Sequence, residues 1–99
     1  MSTHPITRIN PTVRWSDAVV HQGTVHVVEV PTSLPAAADD QARQVLAQLE
    51  ATLTLAGSSK ERLLMCTIYL SDMAHRQPFN EVWEAWLVPG TAPVRACNR

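Results

Sequence analysis

The 99-residue chain has little positive charge to offer an acidic partner, because its one lysine, Lys60, is joined by only seven arginines. These eight cations are balanced by nine Asp and Glu residues, and the formal net charge is −1. No basic stripe stands out along the sequence. Because nucleic-acid binding depends on clustered Lys and Arg contacts to phosphates, the composition gives no support to a nucleic-acid partner.

The sequence also lacks the marks of secreted and membrane proteins. It contains two cysteines, Cys66 and Cys97, which are too few for a disulfide framework or a cysteine-rich zinc site. No apolar stretch approaches the roughly 20 residues that span a bilayer, and the N-terminus lacks the apolar run of a signal peptide. We therefore expect a cytoplasmic protein whose cysteines stay reduced.

Metal and cofactor motifs are missing as well. Of the four histidines, only His21 and His26 flank a predicted hairpin and could approach each other. Two ligands are too few for zinc, and there is no Gly-rich phosphate loop or Cys-x-x-Cys motif. The sequence predicts no metal and no organic cofactor.

The composition that remains is that of one small globular domain spanning residues 1–99. The chain is 45% hydrophobic and 17% charged, which is ordinary for a packed domain of this length. Residues 1–12 are mostly polar and contain two prolines. They are predicted to form an N-terminal arm that leads into the domain.

Four segments have the composition of strands. Residues 18–21 and 24–30 are β-branched runs around Gln22-Gly23, which predicts a hairpin. Residues 63–70 are apolar on both alternating faces, as in a central strand. Residues 94–97 begin a last strand. In the third segment Cys66, Ile68 and Leu70 share one face, and apolar side chains are expected on the other face too.

Two segments have helical periodicity. Residues 39–56 carry apolar side chains at helical spacing, begin with two acidic residues that suit a helix N-terminus, and precede Gly57, a natural C-terminal cap. Residues 78–87 form a second amphipathic helix, which Pro89-Gly90 ends. The order β-β-α-β-α-β, with each helix returning to the same sheet, predicts an α+β two-layer sandwich with both helices on one face. The bare face predicts self-association.

Five stretches of the chain resemble the RidA/YjgF family, and its YoaB-like branch most closely. Together they span nearly the whole sequence. They are Arg14-Trp15-Ser16-Asp17, the Ala-Gly-Ser-Ser of residues 56–59, Thr67-Ile68-Tyr69-Leu70-Ser71-Asp72-Met73, Asn80-Glu81-Val82-Trp83-Glu84-Ala85-Trp86, and Ala92-Pro93-Val94-Arg95-Ala96-Cys97.

This resemblance implies a chorismate-mutase-like fold and a homotrimer with sites in the clefts between subunits. It also implies hydrolysis of reactive enamines and imines, such as 2-aminoacrylate, to 2-oxo acids and ammonia. The family's substrate-binding arginine corresponds to Arg95, which would hold the substrate carboxylate through two parallel hydrogen bonds. From the residues alone, a surface or interface ion pair is the competing interpretation of Arg95.

The other site positions match the family only in part. Trp15 stands where the family has a tyrosine, so it offers an N–H instead of an O–H, while Ser16 matches in place. A family serine is replaced by Val28, and Glu29 stands at a glycine position, either as a proton-transfer group or as a solvated strand residue. Cys97, on the same strand face as Arg95, is either a thiol in the cleft or a small buried hydrophobe.

The resemblance further implies two more strands beyond residue 99, one of which carries a glutamate that positions the attacking water. We expect their absence to leave an incomplete sheet with an exposed edge. Two alternatives to the deaminase therefore stay open. One is a non-catalytic trimer that binds small carboxylates such as 2-oxo acids. The other, with less support, is RNA cleavage of the L-PSP type, against which the net charge argues.

Overall fold

The computed structural model describes residues 5–32 and 37–99. Five strands and two helices follow one another as β1 (Thr7–Ile9), β2 (Ala18–His21), β3 (Thr24–Val27), α1 (Ala38–Leu55), β4 (Met65–Tyr69), α2 (Arg76–Trp86) and β5 (Val94–Asn98). Short 3₁₀ turns at Lys60–Arg62 and Met73–His75 precede β4 and α2. Both predicted helices and all four predicted strands are therefore confirmed, and most of their ends differ from the prediction by one to three residues.

The N-terminal segment differs from the prediction. Part of the expected arm, residues 7–9, forms strand β1, which pairs antiparallel with β2 so that Ile9 lies opposite Ala18. Three residues are too few to show a period of two in the sequence. The strand is recognised only through its hydrogen bonds to β2. The backbone N–H of Asp17 also donates to the carbonyl of Ile9 at 2.9 Å.

The strands form two ladders instead of the single expected sheet. One is antiparallel in the order β1-β2-β3, and the other pairs β4 with β5 in parallel. The α2 crossover returns the chain to the same ladder, as predicted. The α1 crossover does not, because β3 and β4 are not neighbours in either ladder. Backbone pairing therefore does not join the two halves within the described chain.

The hairpin between β2 and β3 is set by a two-residue turn. Gln22 and Gly23 both have positive φ, 51° and 78°, which is the requirement of a type I′ turn. This fixes His21 opposite Thr24 and Val20 opposite Val25. The register places Val25 and Val27 toward the helices and His26 on the open face, where His21 lies diagonally across from it.

Apolar side chains of both helices make the core. The helical spacing in α1 turns Ala42, Leu46, Leu49 and Leu53 inward, and Phe79 and Trp83 of α2 join them beside Ile68 of β4. Val25 and Val27 of β3 pack against this same cluster from the other ladder. The helical layer thus supports both ladders, and the predicted two-layer α+β architecture is confirmed.

Gly57 ends α1 as predicted. Its φ of +79° is a left-handed conformation that glycine adopts without steric cost. The helix start is different from the expected capping, because Ala37 holds the N-cap position and no side chain caps it. Asp39 and Asp40 lie instead within the first turn, where their charge is favourable to the helix dipole, and both pair with Arg43.

The open face of the β4–β5 ladder carries the apolar side chains that the sequence predicted. Met65 is 68% exposed, Tyr69 75% and Val94 68%. Met65 and Val94 are register neighbours, so they lie side by side on the face that neither helix covers.

A polar network closes the end of α2 against α1. Lys60 donates from Nζ to the carbonyl oxygen of Trp86 at 2.7 Å and lies 5.2 Å from the centroid of that indole. The indole Nε1 donates to Oε1 of Glu50 at 2.9 Å. Lys60 and Glu50 approach to 3.8 Å, so one cation joins the loop, α1 and α2.

The core position of Leu46 gives a direct test of this packing. Leu46 is 3% exposed, whereas Leu55 at the end of the same helix is 68% exposed. We expect Leu46→Ala to lower the free energy of unfolding by roughly 2–5 kcal/mol, because it leaves a cavity. Leu55→Ala should change it by less than about 0.5 kcal/mol. Urea unfolding followed by circular dichroism measures both, and equal losses would contradict the assigned core.

Candidate functional site

Arg95 lies near the middle of β5, on the side of the sheet that faces the helices. Its register partner is Cys66, and that of Cys97 is Ile68. Paired residues of neighbouring strands share a face, and Ile68 is part of the core. Arg95 and Cys97 are therefore on the same strand face, as predicted, but β5 is an outer strand and leaves Arg95 exposed.

The guanidinium of Arg95 is held over an aromatic ring. Its Cζ lies 5.7 Å from the ring centroid of Trp83, a distance typical of cation–π contacts. Trp83 is only 5% exposed, and it stacks on Phe79 with a centroid distance of 6.0 Å. The ring is thus a fixed support, and the side chain of Arg95 lies on it at the edge of the sandwich.

Arg95 has no carboxylate partner among residues 5–32 and 37–99. The ion pairs in that part of the chain join Arg43 to Asp39 and Asp40, and Lys60 to Glu50. The interpretation of Arg95 as an ion pair within its own chain therefore finds no partner in the described residues. Its planar N–H fork is open to an anion, which it can bind with two parallel hydrogen bonds.

The two cysteines flank this arginine. Both Cys66 and Cys97 are half-buried and pack against the core. Burial raises the pKa of the Cys66 thiol above its ordinary value, and the positive charge of Arg95 offsets part of that rise. The position of Cys97 agrees with a small hydrophobe that packs beneath the strand.

Trp15 and Ser16 lie in the loop between β1 and β2. The Thr12 hydroxyl oxygen accepts from the backbone N–H of Trp15 at 3.0 Å and the hydroxyl donates to its carbonyl at 3.0 Å, which fixes the loop and leaves Trp15 61% exposed. This loop belongs to the three-stranded ladder, whereas Arg95 belongs to the other ladder. No hydrogen bond or ring contact within the described residues brings Trp15 or Ser16 to Arg95.

Glu29 follows β3 and is bound to α1. Its carboxylate accepts from the hydroxyl of Thr52 at 2.9 Å and from Nε2 of Gln48 at 3.3 Å. The side chain is half-buried. The carboxylate therefore ties the end of β3 to the helix, and both its oxygens have a protein donor.

Two concave regions of the described chain lie away from Arg95. One is a groove of about 450 Å³ between α1 and α2, which Leu46, Val82 and Trp86 help to line. The other, of about 300 Å³, lies between the ends of β3 and β4 and includes Glu29. Neither is lined by Arg95, Trp15, Ser16 or Cys97.

Clusters of metal-ligating side chains and long apolar helices were both sought in the part of the chain that is described. Over residues 5–32 and 37–99, no three His, Cys, Asp or Glu side chains lie together as a metal site would require. Neither of the described helices combines the length and the hydropathy that a membrane crossing needs.

The strands and helices define the fold class, an α+β sandwich with an exposed arginine on an outer strand. A model of the family described as Endoribonuclease L-PSP matches residues 5–99. RutC family protein YoaB of Escherichia coli is 43% identical over 90 residues, which cover 91% of this chain and 79% of YoaB. A RutC family protein of Haemophilus ducreyi is 37% identical over 92 residues, which cover 92% of this chain and 79% of that protein.

The solved structures agree with these relatives. The crystal structure of a YjgF protein family member from Neisseria meningitidis matches with a TM-score of 0.91 at 36% identity, over 96% of this chain and 81% of that chain. The chain therefore belongs to the L-PSP endoribonuclease family, which includes these RutC and YjgF proteins. The resemblance to the RidA/YjgF family and its YoaB-like branch is confirmed.

The reactivity of the Cys66 thiol gives a test of its contact with the charge of Arg95. In a Cys97→Ser background, we expect alkylation of Cys66 by iodoacetamide to rise with pH with a midpoint above the ordinary cysteine value of about 8.5. Replacing Arg95 by alanine removes a charge that favours the thiolate, so the midpoint should move higher still. Arg95→Lys should keep most of the effect. A midpoint unchanged by Arg95→Ala would show that the guanidinium does not act on this thiol.

Proposed function

We propose that this protein hydrolyses reactive enamines and imines of the 2-aminoacrylate type to 2-oxo acids and ammonia. The observation that carries the proposal is the guanidinium of Arg95. It lies on Trp83, is exposed, and has no carboxylate partner among the described residues. Such a group is prepared to bind the carboxylate that every substrate of this class carries.

The chemistry needs little more than positioning. Two parallel hydrogen bonds from Arg95 to the substrate carboxylate fix the neighbouring carbon of the imine. Water adds to that carbon, the resulting amino alcohol loses ammonia, and a 2-oxo acid remains. The enamine form first takes up a proton at its terminal carbon and loses one from its nitrogen, which gives the imine. A fixed substrate and an oriented water lower the barrier, and no cofactor enters the balance.

We further propose that the site is completed between subunits of a homotrimer in the cytoplasm. Trp15 and Ser16 lie on a different ladder from Arg95, so a neighbouring copy is the simplest source of a wall opposite the arginine. The exposed apolar side chains of Met65, Tyr69 and Val94 supply a surface for that association, because patches of this kind mark protein interfaces.

A non-catalytic trimer that binds small carboxylates is the second candidate, and one observation favours it. The carboxylate of Glu29 is already bound to Gln48 and Thr52, and Val28 stands where the family has a serine. No carboxylate is thus identified beside Arg95 among the described residues. Binding of a 2-oxo acid without turnover would support this candidate.

Arg95 is tested first by measuring turnover. With 2-aminoacrylate generated in situ by a dehydratase, we expect the protein to accelerate ammonia release. Arg95→Ala should lower kcat/KM by roughly 10- to 100-fold, because a hydrogen-bonded charge pair contributes about 1.5–3 kcal/mol. Arg95→Lys should keep only part of the activity, since it lacks the planar fork.

Arg62→Ala is the matched control, because Arg62 is an exposed arginine in the turn that follows α1. It should leave ammonia release unchanged. If a folded sample binds pyruvate through Arg95 but does not accelerate release, the carboxylate-binding trimer replaces the deaminase. If neither activity nor pyruvate binding depends on Arg95, both candidates are wrong.

The open face can be tested separately through the oligomeric state. We expect Met65→Lys to shift the sedimentation-equilibrium mass from a trimer toward a monomer, because a buried unpaired ammonium is costly. Leu64→Lys is the control, since Leu64 is similarly exposed but precedes β4 and has the opposite side-chain parity. A trimer that tolerates Met65→Lys would place the subunit contact elsewhere.

A further inference from the structure

The helical layer carries a groove that the proposed deaminase does not use. It lies between α1 and α2 and has a volume of about 450 Å³, which falls in the range of small-molecule clefts. Arg95 is not among its lining residues. Both walls are helices of the described chain, so the groove is formed within one subunit.

Small side chains on both helices keep this groove open. Leu46 of α1 belongs to the core and Val82 of α2 packs against it, and both residues line the groove. Ala47 of α1 and Ala85 of α2 also line it, and both are exposed. Because alanine carries only one methyl group, these two positions leave the space that a longer side chain would fill. The groove therefore presents an apolar base to solvent.

An aromatic wall is provided by Trp86, the last residue of α2. Its indole is fixed in place, because Nε1 donates to Oε1 of Glu50 at 2.9 Å and Lys60 lies 5.2 Å from the ring centroid. The ammonium of Lys60 also approaches Oε1 of Glu50, at 3.8 Å. Both contacts of Glu50 use the same oxygen, so Oε2 takes no part in them.

The charges along the groove are mainly negative. Its lining includes Asp39, Glu50 and Glu81 but only one cation, Arg43. The guanidinium of Arg43 is already paired, at 3.3 Å with Asp39 and at 2.8 Å with Asp40. Among residues 5–32 and 37–99, no ion pair or hydrogen bond occupies the carboxylate of Glu81. The groove thus combines an apolar base with an exposed carboxylate whose charge is not compensated.

We propose that this groove, here termed the helix groove, binds a small organic amine in its ammonium form. The apolar body of the amine packs on Val82, Ala47 and Ala85, and its ammonium group donates to the carboxylate of Glu81. An ammonium is strongly hydrated, so it stays at the exposed rim while the hydrocarbon part is removed from water. The site is separate from Arg95 and takes a ligand of the opposite charge.

The charge of the rim selects this class of ligand. A carboxylate ligand would be repelled by Glu81 and Glu50, and a neutral apolar molecule would leave the charge of Glu81 unused. Hydrogen bonds between an ammonium and a carboxylate are roughly twice as strong as those between neutral groups. The helix groove is therefore complementary to a cation with an apolar body.

A protein partner is a poorer occupant than a small amine. Stable protein interfaces bury roughly 800 Å² on each partner, and a surface of that size over the helix groove would also have to cover the exposed pairs that Arg43 makes with Asp39 and Asp40. Charged residues are depleted at the centre of interfaces. A small molecule can occupy the apolar base without covering these pairs.

Chemical-shift titration of the ¹⁵N-labelled full chain tests the helix groove with three probes that share a phenyl body. 2-Phenylethylammonium carries a positive charge, 3-phenylpropionate a negative charge and 2-phenylethanol none. We expect the ammonium probe to give saturable shifts at millimolar concentration in the amides of Ala47, Glu81, Val82 and Ala85. The other two probes should bind several-fold more weakly, because neither can donate a charge-assisted hydrogen bond to Glu81.

Matched substitutions separate the helix groove from the general charge of the chain. Glu81→Gln should weaken binding of the ammonium probe by roughly fivefold, the effect of an exposed charge pair. Glu84→Gln removes the same charge from an exposed position of α2 outside the groove and should leave Kd nearly unchanged. Ala47→Leu should abolish binding because it fills the groove, and Ala51→Leu, an exposed position of α1 outside the groove, is its control.

The proposal is overturned if no probe binds, if the three probes bind equally, if Glu84→Gln weakens binding as much as Glu81→Gln, or if Ala47→Leu has no effect. Groove amides whose shifts depend on protein concentration in the free chain would also overturn it, because a second copy then covers the groove. A blocked helical peptide with leucines on one face and lysines beside them is the last arm. If it binds the helix groove and the ammonium probe does not, the occupant is a partner helix and the proposal is wrong.

Discussion

The apolar contact between α1 and both β ladders is the interaction on which the rest of this structure depends. Leu46, Leu49 and Leu53 form a stripe that packs against Ile68 of β4 and receives Val25 and Val27 of β3. Backbone pairing does not connect the two ladders in the described chain. Burial of apolar surface is non-directional, so it can hold two ladders on one helical layer without backbone bonds between them. Because both helices lie on one side of the β4–β5 ladder, Met65, Tyr69 and Val94 stay exposed on the other side.

The elements that the sequence predicted are those whose pattern is local. The helical stripe of α1, the glycine at its end and the inward face of β4 all follow from side-chain spacing. The missed features depend on partners distant in sequence. β1 is three residues long and is recognised only by its pairing with β2. The number of ladders could not be predicted, because periodicity assigns the face of a residue but not the neighbour of a strand.

The same limit applies to the candidate site. Family resemblance selected Arg95, Trp15 and Ser16, and strand parity placed Cys97 beside Arg95. The support that Trp83 gives to the guanidinium and the proximity of Cys66 to it depend on the register of β4 and β5, which no short motif carries. For Glu29, the residue type alone suggested a role that its structural surroundings do not support. Its residue type suggested proton transfer or a solvated position, whereas its surroundings, Gln48 and Thr52 on α1, give it a structural contact.

The network at the end of α2 has a practical consequence for chemical labelling. Lys60 is the only lysine of the chain, and its ammonium is engaged by the Trp86 carbonyl, the indole face and Glu50. An amine-directed reagent or a lysine-modifying enzyme thus has one side-chain target, and it must release that contact before it can react. The rate of modification at this one position would measure how often the Lys60 side chain leaves the end of α2.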